Sequence, residues 1–89
     1  MEIEEKELIG LVLESIREGM GGGVVPCNAL LDKYGEIVHK YLPHLQDDRR
    51  LRNTEPAWRN KARWVRKHLE AIGVWNNTGE WGMWGKQVD

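Results

Sequence analysis

The residues best spaced for chemistry lie between Arg59 and Lys67. Here Arg59, Lys61, Arg63, Arg66 and Lys67 are interleaved with Trp58, Ala62, Val65, Leu69 and Ile72. The apolar set recurs at steps of four, three, four and three residues, which places it on one stripe of an α-helix. With that stripe turned inward, a wheel at ~100° per residue points Asn60, Arg63 and Lys67 almost directly away from the core. Arg59 and Arg66 flank them on one side, and Trp64 and Ala57 on the other. Lys61 and His68 fall nearer the core boundary. Arginine and lysine pair with guanine, and asparagine with adenine, in the major groove of a duplex. Arg59 and Arg66 suit phosphates, which position a protein without reading sequence. Arg49, Arg50 and Arg52 supply further cations just upstream. An inward apolar stripe backed by cations is how a DNA-recognition helix is built. It is also how a solvated basic helix is built, so the surrounding elements carry weight.

The helix itself is expected from about Glu55 to Ile72, with Thr54 as its N-cap, Pro56 in the first turn and Gly73 at C′. After Gly73, Val74-Trp75 and Trp81 to Trp84 flank Asn77-Thr78-Gly79, which predicts a short β-hairpin. Upstream, residues 3 to 19 predict a first helix with Ile9, Val12 or Leu13, Ile16 and Met20 inward and Leu8 beside them. Gly21 to Gly23 make the turn that follows it. Val24-Val25 is short enough for a brief strand. Pro26 opens a second helix over Cys27 to Leu42, with Leu30, Leu31, Tyr34, Ile37, Val38 and Tyr41 as its apolar side and Pro43 as its stop. A turn of helix is expected around Gln46 to Leu51. The sum is a mostly helical α+β domain spanning residues 1–89, a winged helix-turn-helix with three helices and a small C-terminal β-hairpin wing.

Charge supports this division of labour. The net charge is −1, yet residues 1 to 18 hold six acids and two bases, whereas residues 49 to 67 hold eight bases and one acid. A near-neutral total does not exclude nucleic-acid binding, because phosphates meet the local patch. No apolar run approaches the ~20 residues of a membrane span, and the acidic N-terminal region lacks a secretory pattern, so a cytoplasmic protein without membrane partners is expected. Cys27 is single, which leaves no intrachain disulfide and no cysteine-based zinc site. It reads as a small packing residue. His39, His44 and Asp47 have loose metal-ligand spacing without a matching pair and read as surface residues. Neither a P-loop, HExxH, a Ser-His-Asp order nor paired carboxylates are present, so no enzyme and no cofactor are expected.

Of the five tryptophans, Trp58 belongs to the core stripe, and Trp75 and Trp84 are expected to pack beneath the wing. Trp64 and Trp81 are also expected in the core, with stacking on an exposed base as the alternative.

The segment from Pro56 to Trp75 carries Trp58-Arg59-Asn60, then Trp64, basic residues, Leu69, and Ala71 shortly before Gly73. It resembles the N-terminal domain of Mrr-type restriction proteins. Gly79-Glu80-Trp81-Gly82-Met83-Trp84 resembles the Arg-Gly-Val-Trp wing of that family, with Gly82 and Trp84 in matching places. The resemblance covers about residues 54 to 84. It implies a winged helix that binds double-stranded DNA through its third helix and wing, in a restriction-type system that reads modified bases. Two departures stand out: Trp81 occupies the place of the wing arginine, and no nuclease domain follows, so any cutting would belong to a partner or a further domain. A fainter likeness, in the helix-Gly-wing ending alone, is to the terminal winged helix of Dpn-type methyl-directed restriction enzymes. The DNA-binding set is thus Arg52, Arg59, Asn60, Arg63, Trp64, Arg66 and Lys67. The competing readings are a protein-interaction winged helix and a small transcription regulator acting as a homodimer.

Overall fold

Glu5 and Glu7 sit in the first turn of helix α1 (Glu5–Gly19), where the helix dipole favours anions, and Arg17 sits in its last turn. The computed structural model describes residues 3–50, 52 and 54–87. Over these residues α1 is followed by strand β1 (Val24–Pro26), helix α2 (Cys27–Tyr41), a single 3₁₀ turn (Pro43–Leu45), helix α3 (Ala57–Ala71) and strand β2 (Met83–Gly85). Three helices packed on one another and one two-stranded antiparallel sheet make a mostly helical α+β fold, a layout compatible with a winged helix.

The core draws on all three helices. Ile9 and Leu13 of α1, Leu30, Leu31, Tyr34 and Val38 of α2, and Ala62, Val65 and Leu69 of α3 are buried. Trp58 lies in the same core, with its ring 5.9 Å from Tyr34 and edge-on to His39 at 5.6 Å. Gly35 makes that placement fit, because a Cβ there would stand 2.6 Å from the Trp58 ring. Two residues expected on the inward stripes of α2 and α3 are exposed instead. Ile72 is 57 % exposed, since α3 ends at Ala71 and Gly73, at φ 82°, turns the chain away. Tyr41, in the last turn of α2, is 66 % exposed with Lys40 against its ring, while Leu45 of the 3₁₀ turn is buried.

The start of α3 differs from expectation. Thr54 is not its cap but holds a left-handed conformation at φ 64°. The first free N–H groups of α3 are satisfied by backbone instead: Ala57 donates to the Arg49 carbonyl (2.9 Å) and Trp58 to that of Asp47 (3.0 Å). Residues 46 to 49 are therefore an extended cap for α3, not the expected helical turn, and Arg50 forms an isolated bridge with Pro56. Leu51, the end of that expected turn, lies outside the described residues.

The wing also departs from the expected C-terminal hairpin. β2 pairs with β1, matching Val24 with Gly85, Val25 with Trp84 and Pro26 with Met83. Val74-Trp75 forms no strand, because its N–H groups are already spent on closing α3, both donating to the Leu69 carbonyl at 3.0 and 3.1 Å. Only Asn76 reaches the sheet, donating to Gly85 at 3.0 Å. The segment from residue 76 to 82 is consequently an open loop, and its Gly82 carbonyl accepts from Cys27 at the start of α2 (2.8 Å).

Candidate nucleic-acid interface

One flank of α3 faces α2 and the sheet, and the arginines there are held. Arg59 donates to Asp32 of α2 at 2.9 Å and is only 18 % exposed. Arg63 donates to Glu55 at 3.0 Å, and Arg66 to Glu70, four residues on, also at 3.0 Å. Both guanidinium groups lie over the Trp84 ring, at 5.9 and 5.3 Å from its centre. On the opposite side Lys61 reaches across to Glu5 of α1 at 2.7 Å. Four of the five cations of α3 thus stand within ion-pair distance of a carboxylate. Such pairs at a surface stabilise little, but they lower the field that phosphates would meet.

The outer face is open. Lys67 has no carboxylate partner among the described residues, and its ammonium group lies 4.4 Å from the centre of the Trp64 ring. Asn60, half-buried, is one turn before Trp64. Trp64 is 62 % exposed, so its expected core position is overturned: the α3 stripe that meets α1 and α2 is filled by Trp58, Ala62, Val65 and Leu69, and Trp64 lies outside it. Arg52 is exposed. Of the other upstream cations, Arg49 is paired with Asp47 at 2.7 Å and Arg50 donates to the Thr54 carbonyl at 2.7 Å. The hydrogen bond from Arg49 holds the Asp47 carboxyl below its usual range. The structure therefore brings Asn60, Trp64 and Lys67 together on one surface and sets Arg63 and Arg66 beside them, while Arg59 is turned to α2.

Between α3 and the 76–82 loop lies a cleft of about 380 Å³. Arg63, Arg66 and Trp84 form one wall, and Asn77, Glu80 and Trp81 line the loop side. Trp84 is buried, stacked at a tilt on Trp75 with 6.3 Å between ring centres. Trp81 is fully exposed. This overturns its expected core position, because the residues before β2 do not pair and so nothing folds over the ring. Asp32 and Glu55, which steer Arg59 and Arg63, carry no signal in the sequence that would single them out. Trp81 does, since a tryptophan between Gly79 and Gly82 in a turn has little to pack against.

The scaffold behind this cleft is anchored by charge. Arg17 of α1 is buried, donates to Glu14 and Glu18, and reaches the Gly23 carbonyl at 3.0 Å. Glu14 also accepts from the indole N–H of Trp75. Burial works against the Glu14 charge, but the hydrogen bonds from Arg17 and Trp75 outweigh it and hold the carboxyl below its ordinary range.

In comparisons with protein-family models, curated proteins and solved structures, the chain matches none. No helix among the described residues is long and apolar enough to cross a membrane, and no three His, Cys, Asp or Glu side chains among them gather to hold a metal.

Proposed function

We propose that the chain binds double-stranded DNA, with the outer face of α3 in the major groove and the 76–82 loop against the backbone. The observation that carries this reading is the solvent-exposed pair of Trp64 and Lys67, with half-buried Asn60 on the same face, on a helix whose opposite face is core. Lys67 and Asn60 have the chemistry to reach base edges, and Arg63, Arg66 and Arg52 that to meet phosphates. A role in reading modified bases, as implied by the likeness to Mrr-type proteins, is the finer part of the same proposal.

A titration of duplex DNA at two salt concentrations tests it, with unmodified, adenine-methylated and cytosine-methylated probes. Binding should weaken steeply with salt. Lys67→Glu should weaken it by about tenfold, as for a lost base contact, whereas Arg52→Ala should reduce the log–log salt slope by about 0.9, the share of one phosphate contact. A duplex that fails to bind even at low salt defeats the reading. A protein-interaction role would then take its place, supported by Leu11 and Ile72, each 57 % exposed beside the α1–α3 groove.

A further inference from the structure

The cleft beside Trp84 has features that a flat groove-binding surface does not need. At about 380 Å³ it falls within the size range of small-ligand sites. Trp81 stands at its edge with its whole ring in solvent and no packing role. Glu80 lines it and has no cation partner among the described residues. On the opposite wall the Arg66 Nε is buried with no acceptor, although the other end of that guanidinium is held by Glu70. The guanidinium lies against the Trp84 ring, gives one N–H to Glu70 and is still partly exposed, so a ligand anion in the cleft can take a further charge-assisted hydrogen bond from it. An aromatic face, a carboxylate acceptor and cationic donors around one concavity match a nucleobase with its phosphate: π-stacking for the ring, an acceptor for an exocyclic amino group, and guanidinium for the anion.

We infer that this cleft receives one unstacked nucleobase, with its ring on Trp81, its amino-bearing edge toward Glu80 and its phosphate toward Arg63 and Arg66. The inference rests on the reading of the chain as a nucleic-acid binder, and adds that one base leaves the stack. The base comes either from a duplex, by extrusion, or from a strand already unpaired. Extrusion costs least where pairing is weak, so a duplex with a single mismatch should bind more tightly than its matched counterpart.

The test compares matched duplex, singly mismatched duplex and single strand of the same sequence, with the intact chain and with Trp81→Ala. Because Trp81 is fully exposed, its removal leaves the core untouched, which circular dichroism verifies. The expected result is a mismatch preference of about tenfold that Trp81→Ala abolishes, since the base loses its stacking platform. Trp81-dependent binding of single strand alone keeps the cleft as a base site and makes unpaired nucleic acid its source, at the expense of the duplex reading. Salt-sensitive duplex binding that ignores both the mismatch and Trp81→Ala overturns this inference and leaves the duplex reading standing. No binding to any of the three probes removes both.

Discussion

Helix α3 shows two flanks built from the same residue types and put to different uses. Toward α2 and the sheet, Arg59, Arg63 and Arg66 are tied to Asp32, Glu55 and Glu70, and two of them lie over Trp84. Away from the core, Lys67 rests only on the ring of Trp64, and both are open to solvent. The tryptophans divide likewise: Trp58, Trp75 and Trp84 are buried, whereas Trp64 and Trp81 are not. Residue type alone therefore says little about role here. What decides is whether a carboxylate or a packed ring has already claimed the side chain. A cation tied to another helix, as Arg59 is to Asp32, shapes the fold and weakens the local field. Arg63 and Arg66, paired within or next to α3 and still partly exposed, can trade a carboxylate for a phosphate, and Lys67 is free to meet a partner directly.

The sharpest way to break this contrast is at the inward tryptophan. Trp58→Ala should cost about 3–5 kcal/mol in urea unfolding, the usual range for emptying a core aromatic site, because Tyr34, Gly35 and His39 all lose a contact. Next comes the anchor behind the wing. Glu14→Gln leaves the buried Arg17 without its main partner and should cost about 3 kcal/mol, near the low end for breaking a buried pair. The pH dependence of stability should change with it. The native Glu14 carboxyl titrates below its unfolded value, so its stabilisation is complete above the ordinary carboxylate range and is lost as pH falls through the lowered native value. Thermal melts of Glu14→Gln should show a shallower acid limb than those of the parent chain, and an unchanged limb would show that the pair contributes nothing.

Smaller effects sharpen the comparison instead of breaking it. Asp32→Asn releases Arg59 while changing stability by less than about 1 kcal/mol. If the held flank is masked as described, DNA binding should tighten and its log–log salt slope should steepen by up to about 0.9, one added phosphate contact. Unchanged binding would mean that Arg59 cannot reach a phosphate from that flank. Smallest of all, Trp64→Ala should alter stability by no more than about 0.5 kcal/mol, as for other exposed positions, against the several lost at Trp58.

Much of this was readable from the sequence because it is local. Periodicity marks the inward stripe of α3 as far as Leu69, Gly73 marks the turn after it, and Pro26 and Pro43 bracket α2. The parts that were not readable depend on residues far apart in the chain. Val74-Trp75 has strand composition, but its N–H groups go to the end of α3, and β2 finds its partner in β1. The links of Arg59 to Asp32 and of Lys61 to Glu5 exist only once three helices are packed, so a wheel drawn for α3 alone overstates its free charge. The cap supplied by the 47–49 carbonyls is hidden for the same reason, and Thr54 looked the better candidate.

The pairing of Val24–Pro26 with Met83–Gly85 has a kinetic consequence. Helices α2 and α3 lie between these two strands, so the ladder closes a long loop and gains its hydrogen bonds only after those helices have docked. It is also only three residues long on each side. Contacts that form late leave the folding rate almost unchanged and control how fast the molecule comes apart. The ladder is thus set to release before the helical core does, and amide protons of Trp84 and Lys86 should exchange through partial opening while those of Leu30 and Leu31 wait for global unfolding.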